Sequence, residues 1–196
     1  MLRKSSEQVA EAVSVFIWDF KIGDNIIYNL KTVFALYEAS EQLPQHAAQL
    51  YKPLTIHLMS IVEACLFDLV CRLDDATRHF PEALIRRRTE IKQRIQEDKV
   101  PIKKGGSIRV IRYQMKDLVS FCSDYELFGR KEAPIYGALI KAAGMRNRIH
   151  IQNDRRQFER DEELVFTKTR LDAIERIFER IIETLSLQYR RPFDSG

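Results

Sequence analysis

Arg146-Asn147-Arg148-Ile149-His150 closes a stretch that is otherwise apolar at helical spacing. Arg146 and His150 stand four residues apart, and on a helix that spacing stacks both side chains on one face. The arginine supplies a permanent cation with a planar donor fork, and the histidine supplies a group that exchanges a proton near neutral pH. Holding a phosphate while moving a proton beside it requires that pair of abilities. Ile135, Leu139 and Ala143 precede the pair on the same line, so a core-facing stripe turns cationic and titratable at its end. Arginine is rarely buried without a partner. This end of the stripe must therefore face a groove, a protein partner or a carboxylate. The spacing alone fits equally a plain helix terminus, where cations offset the negative end of the dipole.

The elements that must position the pair are helical. Residues 47–73 carry apolar side chains at 50, 54, 58, 61, 62, 65, 66, 69 and 73, the broad face of a central helix with neighbours on several sides. Pro53 falls in its first turns, and the regular helix is predicted to begin there. Residues 166–189 show one clean stripe, Leu171, Ile174, Ile177, Phe178, Ile181, Ile182 and Leu185, opposite a charged face. Residues 133–150 form the helix of the Arg/His pair. Shorter amphipathic stretches cover 24–41 and 108–122, the latter with Ser107 as its expected cap. Residues 81–98 are mostly charged around a thin seam of Leu84, Ile91 and Ile95, the pattern of a solvent-exposed helix; Pro101 and Gly105-Gly106 end it. No run alternates with period two for long enough to demand a sheet. The expectation is a compact all-α bundle of five to seven helices, one domain over 1–196, with a basic variable insert at about 81–107 and a core built from 47–73, 133–150 and 166–189.

Charge and composition narrow the function classes. The chain has 196 residues, 45% of them hydrophobic, and a formal charge of +4. The segment from Arg86 to Arg112 holds ten Lys or Arg against three acids, a local +7 that leaves the remainder acidic by three. Arg86, Arg87, Arg88, Lys103, Lys104, Arg109 and Arg112, with Arg148 beyond them, are candidates to track an RNA backbone. A solvated helix face is the competing explanation for the same residues. Tyr113 is the lone aromatic near them, so no base-stacking platform is evident. Three cysteines, Cys65, Cys71 and Cys122, sit in apolar runs without CxxC spacing, which reads as reduced thiols in a cytoplasm. The apolar run 13–18 is too short for a signal-peptide core, and no membrane span is expected. His46, His57, His79 and His150 are scattered without metal-ligand spacing, and Lys103-Lys104-Gly105-Gly106-Ser107 lacks the Walker pattern. Neither a metal nor a cofactor is expected.

An Arg-Asn pair followed shortly by His, late in a helix of a small all-α protein, resembles the signature of the HEPN superfamily. That signature is an Arg, a polar follower and a His after four to six intervening residues; Arg146, Asn147 and His150 match it with three. The layout is similar as well, over roughly 24–189: a long helix with a mid-helix acid (Glu63 in Ile61-Val62-Glu63-Ala64-Cys65-Leu66), a variable insert, the motif helix and a closing amphipathic helix. Gln152 stands where members paired with nucleotidyltransferases carry a tyrosine. The resemblance implies a metal-independent endoribonuclease, a homodimer with two motifs facing one cleft, and a toxin or phage-defence context with an antitoxin or other protein partner. It implies that His150 acts as general base or acid, that Arg146 holds the scissile phosphate and that Asn147 positions RNA. The nucleophile would be the ribose 2′-OH, leaving a cyclic phosphate. The alternative it allows is a non-catalytic module that binds RNA, a nucleotide or a protein. Glu63 is expected either to pair with Arg146 or His150 and orient it, or to be an exposed helix acid.

Overall fold

The computed structural model describes residues 4–72, 114–146 and 162–191, together with Leu2, Arg86, Thr89 and the strand residues 103–104 and 107–108. The architecture is an all-α helical bundle, as the periodicities predict. Its elements run α1 Ser6–Ser14, α2 Phe20–Gln42, a 3-10 turn Pro44–His46, α3 Ala47–Arg72, the strands β1 Lys103–Lys104 and β2 Ser107–Ile108, α4 Met115–Asp124, α5 Pro134–Arg146, α6 Glu162–Val165 and α7 Lys168–Gln188.

α3 is the hub, packing against α2, α4, α5 and α7. Leu58, Met59, Val62, Cys65, Leu66 and Leu69 on it are fully buried. α7 lays the whole stripe from Leu171 to Leu185 into the same core, and Thr167 caps its start by accepting from the Arg170 amide. Glu175 rides at the edge of that stripe and is buried. Its cost is offset by the Tyr37 hydroxyl, which donates to Oε1 at 2.7 Å and ties α2 to α7. Burial, then the neighbouring Glu175 carboxylate, pushes the Tyr37 phenol far upward, so it stays protonated and keeps donating.

The structure departs from the sequence expectations in four places. α3 begins at Ala47, so Pro53 lies inside it. Pro53 removes one backbone hydrogen bond close to the helix start, and burial of Leu54 and Leu58 just beyond it holds the first turns together. Continuity through Pro53 makes Pro44–Cys71 a stretch of 28 residues that contains an 18-residue window of mean hydropathy 1.8, long and apolar enough to cross a membrane, and most of that window is buried within the protein. Ser107 caps no helix: it lies in β2 and pairs with Lys104. α4 starts later than expected, where Asp117 reaches back to accept from the Gln114 amide at 3.0 Å. α1 was not legible from apolar spacing, but a capping box opens it: Gln8 donates to Ser5 Oγ and its carboxamide accepts from the Ser5 amide. The helix expected over 81–98 lies outside the described residues except at Arg86 and Thr89, both helical and exposed.

Asp68 fixes the corner between α1 and α2. It is buried on α3, and its carboxylate accepts from the backbone amides of Trp18 and Asp19 at 3.2 and 3.1 Å. Asp19 in turn caps α2 by accepting from the Ile22 amide at 2.9 Å. Asp68→Ala should therefore lower unfolding stability by about 1–3 kcal/mol by leaving those amides without their acceptor. Asp68→Asn, which keeps one acceptor oxygen, should lose less. Urea denaturation measures both, and equal stability of the two variants with the parent would contradict this role.

Candidate functional site

The motif helix α5 is aimed by the loop before it. Glu126 takes a left-handed φ of 53° and Gly129 a φ of 118°, so the chain reverses sharply after α4. The Tyr136 hydroxyl staples this loop, accepting from the Phe128 amide at 3.0 Å and donating to the Gly129 carbonyl at 2.9 Å. The Tyr189 hydroxyl donates to the Leu127 carbonyl at 3.0 Å, which ties the loop to the end of α7. Pro134 then opens α5, its missing N–H costing nothing at that position. From there Ile135, Tyr136, Leu139, Ala142 and Ala143 enter the core.

Arg146 is the last described residue of α5, and its Nη2 lies 2.6 Å from Glu63 Oε2 on α3. The Glu63 side chain is 17% accessible and that of Arg146 32%, so the pair is shielded from bulk water on most sides. Burial pushes the Glu63 carboxyl above the ordinary glutamate range, and the Arg146 guanidinium beside it opposes that rise without cancelling it. The arginine is thus what makes the ionised carboxylate tolerable on the central helix. The carboxylate in turn fixes the Nη2 end of the guanidinium.

Of the residues singled out in the sequence, Glu63 and Arg146 are brought into contact. Asn147, Arg148 and His150 lie outside the described residues, as do Arg87, Arg88, Arg109 and Arg112. Arg86 is exposed on a helical turn, and Lys103 and Lys104 form β1. Among the described residues no group of three or more His, Cys, Asp or Glu is placed to hold a metal ion.

A second polar pair escaped the sequence reading. His57 on α3 has Nδ1 at 2.9 Å from Asn29 Oδ1 on α2. The Asn29 Nδ2 donates to the Asn25 carbonyl at 2.8 Å, which fixes the orientation of the amide. The amide oxygen facing His57 can only accept, so the imidazole carries its proton on Nδ1. Partial burial holds the His57 pKa below the usual histidine value. The signal was a lone histidine between Ile56 and Leu58 in an apolar run; periodicity gives no means of choosing its partner.

Comparisons with family models, with curated proteins and with solved structures returned no match.

Two pH dependences follow. Glu63 has a raised folded value, so its contribution to stability is fully present below its ordinary value of 4.5 and is lost as pH rises through the raised one. The stability advantage of the parent over Glu63→Gln should shrink across that rise. His57 has a lowered folded value, so its contribution is present above its ordinary value of 6.5 and is lost as pH falls through the lowered one. His57→Gln should flatten the acid side of the profile. Urea midpoints across pH measure both, and parallel profiles would contradict both assignments. Removing the Arg146 side chain should cost about 1–3 kcal/mol by stranding the Glu63 carboxylate, and less once Glu63 is Gln.

Proposed function

We propose that this protein is a HEPN-type, metal-independent endoribonuclease whose phosphate-holding group is Arg146. The observation that supports this most is the Glu63–Arg146 ion pair at 2.6 Å. It holds a cation at the end of the α5 stripe, one residue before Asn147 and four before His150. A catalytic arginine needs such support, because a loosely held one spends binding energy on ordering itself.

In the proposed reaction His150 accepts the proton of the ribose 2′-OH as the O2′–P bond forms. The P–O5′ bond breaks, and the protonated His150 returns that proton to the departing O5′. Arg146 offsets the charge that builds on the non-bridging oxygens. Asn147 positions the RNA strand, and the basic segment with Arg86, Lys103, Lys104 and Arg109 adds backbone contacts. The products are a 2′,3′-cyclic phosphate end and a 5′-hydroxyl end. DNA, lacking the nucleophile, is not cut. A homodimer, a cytoplasmic setting and a toxin or defence role governed by an antitoxin belong to the same proposal.

A second reading is favoured by one observation: Glu63 already engages an Nη of Arg146. An arginine committed to a structural ion pair would suit a non-catalytic module that binds RNA, a nucleotide or a protein. Purified protein incubated with mixed RNA in EDTA separates the two. Cleavage with cyclic phosphate ends, reduced at least about a hundredfold by His150→Ala, is the expected outcome. Salt-sensitive RNA binding without cleavage would support the second reading in its RNA-binding form, and intact RNA with no binding would overturn both the ribonuclease and the RNA-binding module.

A further inference from the structure

Between α2 and α3 lies a cleft of about 90 Å³ whose polar lining is Asn25, Asn29 and Ser60 and whose apolar lining includes Ile22, Ile26 and Ile61. It is far below the several hundred Å³ that enclose a cofactor, and its size suits the edge of one ring. None of the residues lining it carries a charge. Its ligand must therefore be uncharged, must carry donors and acceptors along one edge, and must have an apolar face. Anions and cations would be desolvated there without a counter-charge.

The Asn29 carboxamide is already oriented for reading such an edge. His57 Nδ1 holds its oxygen and the Asn25 carbonyl holds its nitrogen, each through one bond. One N–H and one lone pair of the amide remain, the paired donor and acceptor with which asparagine recognises base edges. Ala64 also lines the cleft and directly follows Glu63, while Ser60 precedes Glu63 by three residues. The cleft thus lies beside the stretch of α3 that carries Glu63, with lining residues on both sides of it in sequence.

We propose that the cleft between α2 and α3 receives an unpaired nucleobase of single-stranded RNA and that Asn25, Asn29 and Ser60 select which base it takes. The substrate class rests on the ribonuclease reading; the cleft, its neutrality and the fixed amide do not. A base paired in a duplex has its edge occupied and cannot enter, so the site restricts the protein to single-stranded stretches.

The test has two arms. In the first, free adenosine, guanosine, cytidine and uridine, which carry no phosphate, are titrated into nitrogen-15-labelled protein while the Asn25 and Asn29 side-chain amide signals are followed. The expected result is that a subset of the four shifts those signals, and that Asn25→Ala and Ser60→Ala each weaken the binding about tenfold with thermal unfolding unchanged. No shift with any nucleoside up to millimolar concentration, or equal shifts in the variants, overturns the pocket. In the second arm, the base preference at cleavage sites is mapped for parent and variants. Preference that flattens in the variants supports the pocket, and cleavage with unaltered preference overturns it. Nucleoside shifts without any RNA cleavage support the pocket and overturn the ribonuclease reading alone.

Discussion

The central helix must be buried on several sides while carrying polar side chains, and that constraint organises the molecule. α3 places Asp68 in full burial and Glu63 and His57 in partial burial. Each is costly there unless a neighbour answers it. Asp68 is answered by the amides of Trp18 and Asp19, which sets the α1–α2 corner. Glu63 is answered by Arg146, which sets the end of α5. His57 is answered by Asn29, which sets α2 against α3. Apolar faces alone can slide past each other at small cost, because one leucine serves nearly as well as the next. A polar pair has one register, and missing it strands a desolvated group. The Tyr37–Glu175 bond does the same work between α2 and α7.

This division explains what the sequence reveals and what it withholds. The α7 stripe from Leu171 to Leu185 is readable because burial of a helix face repeats every three or four residues, and every one of those positions is buried. α3 is readable for the same reason, although its start is not. Pro53 looks like a beginning, yet the packing of Leu54 and Leu58 outweighs one lost backbone bond. Ser107 looks like a cap, yet a cap needs helical residues after it, and here the next partner is Lys104 across a strand pair. α1 carries a weak stripe and a strong local signal, the Ser5/Gln8 capping box. The polar pairs lie beyond any periodicity. Asn29 and His57 are 28 residues apart and Tyr37 and Glu175 are 138 apart, so only the fold chooses among the many polar residues available.

At the candidate site the same logic carries chemical weight. An arginine without support is by itself a swinging cation with many rotamers. Glu63 restricts it, and shielding from water strengthens the attraction between the two. The raised Glu63 pKa marks how far the site resists a bare carboxylate. A phosphate approaching Arg146 would meet a guanidinium already ordered and partly desolvated, so little is lost on binding. The uncharged cleft lined by Ser60 and Ala64 complements this charged point in kind; in the proposed reading one would address an anion and the other a neutral ring edge.

In the proposed reaction Glu63 acts on RNA through Arg146. The most direct measurement is a double-mutant cycle on single-turnover RNA cleavage, comparing the parent, Glu63→Gln, Arg146→Gln and the double variant. Strong non-additivity is expected: Glu63→Gln slows the parent but adds little once the Arg146 cation is removed, because its only route to the phosphate is gone. Losses that multiply independently, or RNA left intact by the parent itself, would contradict it.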